Sequence, residues 1–267
     1  MRSRWCAAAL AAGILLLTAC GQGGGETGTD PDGTPGARDP GGRAQICARV
    51  VSAEEDRILL AGLDLFSGAE SPLQGVYAVD PADWDEVLSP GQMAEPGALA
   101  AVGFDGSVEE TLPARLGNLA GAVILPEGFD NLCVRYLEVL EDLWEEDPAL
   151  NHEAVRLGFD LSGTRLAPSE QEAVILAFSS AHGDLPAVTG SLEELMDRGI
   201  IDRENLYWTD GVHLSIRETG EGREDKVTFE AEKWRSGLGA VGFTDCTSVR
   251  DGSGRWSAYR AGGSFVS

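Results

Sequence analysis

The chain has 267 residues, with 44 acidic against 20 basic side chains and a formal charge of −24 at pH 7. A surface this acidic repels phosphate backbones, which argues against a nucleic-acid partner. The charge serves solubility, or draws cationic peptides and divalent ions.

The chain opens with Arg2 and Arg4, followed by an uncharged apolar run from Cys6 to Leu17, then Leu17-Thr18-Ala19-Cys20 and a Gly-rich polar stretch. A basic start, a short apolar run and small residues before a cut read as a secretory signal over residues 1–19. The run is about a dozen residues, short of the roughly 20 that a spanning helix needs. Leu17-Thr18-Ala19-Cys20 resembles a bacterial lipobox. That resemblance implies cleavage after Ala19, a diacylglyceryl thioether and fatty acylation (palmitate) at Cys20, and a lipoprotein on the extracytoplasmic face of the cell membrane. Two acyl chains anchor stably where one is marginal. A plain secretory signal with Cys20 incidental, and an uncleaved N-terminal helix, are the alternatives.

Residues 20–44 are rich in Gly, Pro, Asp and Thr. Such a segment buries too little apolar surface to offset its ordering entropy, so it reads as a lipidated, disordered tether. Its root-mean-square reach is roughly 25–30 Å. Asp30-Pro31-Asp32-Gly33 lacks the later ligands of a calcium loop. Beyond the signal and Cys20 stand Cys47, Cys133 and Cys246, far apart and without a C-x-x-C pair. They are expected as buried free thiols rather than a zinc site or a disulfide framework.

Residues 45–126 read as a small β domain. Strands are expected at Ile46–Val51, Arg57–Leu60, Val76–Val79, Ala98–Phe104, Ser107–Thr111 and Ala120–Leu125. Asp105-Gly106 is a strong two-residue hairpin signal, and Pro113 ends the strand after it. The stretch Phe104-Asp105-Gly106-Ser107-Val108-Glu109-Glu110-Thr111-Leu112-Pro113-Ala114, with Pro96-Gly97 before it, resembles small secreted bacterial domains of unknown function. That resemblance implies an OB-like barrel and no activity; Leu112 departs from the aromatic expected there.

Residues 127–267 read as an α+β domain. Leu132, Tyr136, Leu140, Leu143 and Trp144 fall on one stripe of a helix over Asp130–Glu146, which Pro148 stops. Leu157–Leu161 is a strand. Ser169 with Glu172, and Ser191 with Glu194, have the spacing of capping boxes opening two further helices, which Gly183 and Gly199 end. Period-two patterning then predicts four strands: Leu206–Glu218, Lys226–Trp234, Leu238–Val249 and Arg255–Val266. Helices before a meander suggest helices packed on an antiparallel sheet, as in cystatin-like or nuclear-transport-factor-like rolls. Phe229-Glu230-Ala231-Glu232-Lys233-Trp234-Arg235-Ser236-Gly237-Leu238-Gly239-Ala240 is similar to the C-terminal part of uncharacterised lipoproteins from spore-forming anaerobes.

No G-x-S-x-G, H-E-x-x-H, P-loop or G-x-G-x-x-G motif occurs. No cofactor or metal is expected, and no catalytic residue stands out. His213 with Cys246 is one dyad to examine, although a thiolate wants an electropositive surrounding. The binding candidates are Trp208 and Asp210 on one strand and Trp234 with Arg235 on the next, since Trp and Arg favour recognition surfaces. The alternative is that these tryptophans cover the sheet and Arg235 pairs with nearby carboxylates. The expectation is a non-enzymatic binding or interaction module at the cell envelope, held to the membrane by its lipid, with an envelope protein, a peptide or a glycan as partner. A cell-wall or peptide hydrolase and a ligand-free spacer lipoprotein are the rivals.

Overall fold

The computed structural model describes residues 41–42, 44–63, 75–220 and 223–267. The signal segment, Cys20 and nearly all of the tether lie outside the described residues. Residues 38–267 group into a single compact unit. Among the described residues there are thirteen strands and four α-helices. In chain order they are β1 (Ala44–Ala53), β2 (Ile58–Leu63), β3 (Val76–Val79), α1 (Pro81–Val87), β4 (Leu99–Phe104), β5 (Val108–Glu109), β6 (Ala114–Leu116), β7 (Leu119–Leu125), α2 (Leu132–Glu145), β8 (Arg156–Asp160), α3 (Pro168–Ala181), β9 (Ala187–Thr189), α4 (Leu192–Asp197), β10 (Gly211–Glu218), β11 (Lys226–Ser236), β12 (Gly239–Val249) and β13 (Gly263–Val266). The architecture is α+β.

The strands form two mixed sheets, ordered β5-β6-β3-β2-β1-β4-β7 and β13-β12-β11-β10-β8-β9. β1 and β2 are buried on both faces, so they read as apolar runs rather than clean alternations. Val51, Leu59, Ala61 and Val76 face one way, into a core shared with α2, α3 and the second sheet. Val50, Leu60, Tyr77 and Val79 face the other way, into a separate core sealed by the fully buried Trp84 of α1. Helices α2 and α3 fill the layer between the sheets, α3 against β1 and β2 and α2 against β10 and β11. The α2 stripe buries Leu132, Tyr136, Leu140 and Leu143, as its spacing predicts; Val139 joins them, and Trp144 at the end of the stripe is only half-buried.

Several expectations are corrected. The first sheet is open, ending at β5 and β7, and does not close into a barrel. Asp105-Gly106 does not return β4 onto itself: β4 pairs with β1 and β7, and β5 pairs with β6. Asp105 instead accepts hydrogen bonds from Ser107 N and Oγ (2.9 and 2.7 Å) and from Asn118 Nδ2 (2.8 Å), which turns the chain away. Those bonds, the Ser107 hydroxyl first, hold its carboxyl down at about 2. Val51, Leu59, Ala61 and Val76, before the expected boundary at residue 126, pack in one buried cluster with α2 and α3 after it, while Val50, Leu60 and Tyr77 belong to the separate core.

Helix α3 starts one residue earlier than its expected cap. Pro168 takes the first helical position, where its missing N–H costs nothing. Glu170 Oε2 accepts from Ala167 N at 2.9 Å, while Ser169 Oγ reaches across to Gly62 O at 2.7 Å. In the second sheet β10–β13 are the expected antiparallel meander, but β8 pairs in parallel with both β10 and β9. The last strand begins at Gly263 rather than Arg255, because Trp256 is drawn to α2: its backbone N donates to Asn131 Oδ1 (2.7 Å) and its Nε1 to Asp130 Oδ1 (2.8 Å). Among the described residues no helix is long and apolar enough to cross a membrane.

Candidate functional site

The binding candidates named from the sequence are structural in their contacts. Trp208 and Asp210 precede β10, which starts at Gly211, so they are not strand neighbours on one face. Trp208 is 1% exposed and packs with Leu195, Ile201, Trp234 and Ala240. It fits because two glycines leave room: a Cβ on Gly211 would lie 2.2 Å from Trp208 Cε2, and one on Gly158 2.7 Å from Cζ3. Trp234 is buried in the same cluster. Asp210 forms a surface ion pair with Arg156 at 2.8 Å.

Arg235 is buried, and its guanidinium takes backbone carbonyls rather than carboxylates. It donates to Leu150 O (2.8 Å), His152 O and Thr209 O (2.9 Å). Its neighbour Lys233 has no exposed surface and donates to Trp144 O (3.1 Å), Glu146 O, Asp147 O (3.2 Å) and Asn151 Oδ1 (3.2 Å). The two cations pin the α2–β8 connection to β11 by satisfying carbonyls a helix end leaves free.

Cys246 and His213 do not meet. Cys246 lies in the core shared with the helices, where burial pushes its thiol up to about 11. His213 contacts the opposite side of the sheet: its Nε2 lies 3.0 Å from Gly190 O, and burial lowers its pKa. Cys47, Cys133 and Cys246 are all buried and free. No group of three metal-ligating side chains occurs among the described residues.

The sequence did not point to the crevice that the parallel strands create. The chain leaves β8 toward α3, on the face where Phe159 meets Phe178 with ring centroids 5.7 Å apart. It leaves β9 toward α4, whose Leu195 packs on the other face with Trp208 and Trp234. Adjacent parallel strands whose following helices take opposite faces open a crevice beyond their carboxyl ends, the usual ligand position in open α/β sheets. Here that crevice holds about 600 Å³. Leu161 and Ile175 give it a buried apolar floor, and Asp160, Thr189, Glu194 and Arg198 line its polar rim. His213 holds one wall through the Gly190 carbonyl, at a residue whose φ of +140° suits glycine.

A larger trough of about 800 Å³ lies beside α1 and β6, but its lining is mainly polar. The crevice presents apolar and polar surface in nearly equal share, with Phe159, Leu161 and Ile175 against a rim of polar and charged side chains. The signal missed in the sequence was the pairing of a strand ending in Asp160 with a second, three-residue strand ending in Thr189-Gly190 before the Ser191 cap.

No protein-family model, curated protein or solved structure matches this chain.

Proposed function

We propose that the chain is a lipid-anchored binding module of the cell envelope, facing away from the cytoplasm, with its ligand in the β8–β9 crevice. The binding role rests on a single observation, an apolar-floored crevice at the point where α3 and α4 diverge to opposite faces. The location rests on Leu17-Thr18-Ala19-Cys20 after its uncharged apolar run. Lipid at Cys20 ties the folded part to the membrane, and a Gly- and Pro-rich tether gives it reach. Envelope proteins, peptides and glycans are the partner classes open to such a module. The separate core inside the first sheet supports reading residues 45–126 as an OB-like unit that has stayed open.

Cys20→Ala tests the location. The variant is expected in the soluble extracytoplasmic or culture fraction, where the parent protein sediments with membranes. Unchanged sedimentation of the variant would contradict the anchor.

A further inference from the structure

We infer that His213 is an acid-released latch: it holds the β9–α4 segment on the second sheet when neutral and lets it go when protonated. β9 is a three-residue strand at the edge of that sheet, and α4 is six residues long. Elements this short bring few contacts of their own, so the segment opens more readily than the long strands behind it. Two of its polar ties to the sheet meet at one residue. Gly190 N donates to Phe159 O at 2.9 Å, and Gly190 O takes the His213 imidazole at 3.0 Å. Gly190 joins β9 to the Ser191 cap of α4 at a φ of +140°, where a glycine turns without steric cost.

The ring itself is enclosed. His213 pairs in register with Gly158 on β8 and Trp234 on β11, and it is 2% exposed. A Cβ on Gly158 would lie 3.0 Å from His213 Cδ2, so the ring is packed onto β8. Nε2 is committed to Gly190 O, and Nδ1 forms no hydrogen bond among the described residues. A neutral ring with its proton on Nε2 suits this site. A second proton adds a full charge, and a donor without an acceptor, where little water reaches. The charged groups on the surrounding elements are Asp160 on β8, Glu194 and Arg198 on α4, and Glu232 on β11. Asp160 favours the imidazolium, but burial outweighs it and lowers the pKa from 6.5. Opening the segment hydrates the ring and restores its ordinary titration. The open form therefore binds the proton more tightly, and acid drives opening while the latch stays closed above about 6.5. Thr189, Gly190 and Glu194 of the crevice move with the segment. The latch does not rest on the crevice being a ligand site.

The test is hydrogen–deuterium exchange of the full-length protein in detergent at about pH 7.5 and about pH 5.5, on either side of the ordinary histidine value, with each rate divided by the intrinsic rate at that pH. Residues 187–199 are expected to lose protection severalfold in acid while β11 and β12 keep theirs. In His213→Gln the segment should have the same protection at both pH values. Asp160→Asn, which removes the carboxylate that favours the imidazolium, should enlarge the acid response. Unchanged protection of residues 187–199, a loss spread evenly over the chain, or a His213→Gln variant that responds like the parent overturns the latch. Should His213→Gln fail to fold, the parent and Asp160→Asn decide: a local loss that is larger in Asp160→Asn supports the latch, and an equal or smaller one overturns it.

Discussion

Buried polar side chains on β10 and β11 show how single residues fix this molecule. Lys233 and Arg235 are both enclosed, and both are satisfied by neutral carbonyls of the 144–152 segment and of Thr209. Burial depresses the Lys233 ammonium to about 8, against partial support from Asp147 and Glu146. His213 is enclosed in the same way, and its link to Gly190 O requires a proton on Nε2. Burial lowers its pKa from the ordinary 6.5, opposed by the Gly190 carbonyl and by Asp160. The unfolded chain therefore takes up the second imidazole proton first as pH falls. His213 contributes stability that is present above about 6.5 and lost as pH drops below it. In thermal melts across that range, His213→Gln is expected to flatten the acid-side slope. It should also be less stable at pH 8 by about 1–2 kcal/mol, the worth of one hydrogen bond. An identical slope in the variant would assign the acid sensitivity elsewhere.

Among the elements, α3 is the piece that joins the two halves. Arg49 on β1 donates from Nε to Glu170 Oε1 at 2.8 Å, and from Nη1 to Gly97 O (3.1 Å) and Gly128 O (2.6 Å). The other Glu170 oxygen caps α3 through Ala167 N. Both side chains are only 12% exposed. Removing one partner of a buried pair strands the other charge, so Glu170→Ala should cost about 3–5 kcal/mol in denaturant unfolding. Glu170→Gln, which keeps the side-chain volume and one acceptor oxygen but can serve only one of the two donors, should cost less than the alanine variant. A loss under 1 kcal/mol for the alanine variant would show that α3 is held by its apolar contacts alone.

Elements with their own local signal were legible in the sequence. The α2 stripe, the Ser191–Glu194 capping box and the long β11 and β12 follow directly from spacing. Elements whose position depends on a distant partner were not. Trp256 leaves the expected last strand for Asp130, about half the chain away, and Ser169 gives its hydroxyl to Gly62 instead of its own helix. Trp208 and Trp234 looked like recognition residues because composition cannot tell a covered tryptophan from an exposed one. The glycines that receive Trp208, Gly158 and Gly211, carry that information only once β8 and β10 are known to be neighbours. The crevice was illegible for the same reason: it exists only because β8 and β9 lie side by side.

At the scale of the whole molecule, one helical layer between two mixed sheets makes a single compact unit of residues 38–267. The chain carries a formal charge of −24. A surface of that charge repels anionic headgroups and other polyanions. The proposed function presupposes that the chain is held at a membrane, which makes Cys20 the residue to measure. Mass spectrometry of the N-terminal peptide of the mature protein decides it. The account predicts a peptide that begins at Cys20 and carries the added mass of a diacylglyceryl group. A chain still beginning at Met1, or an unmodified Cys20 thiol, would contradict it.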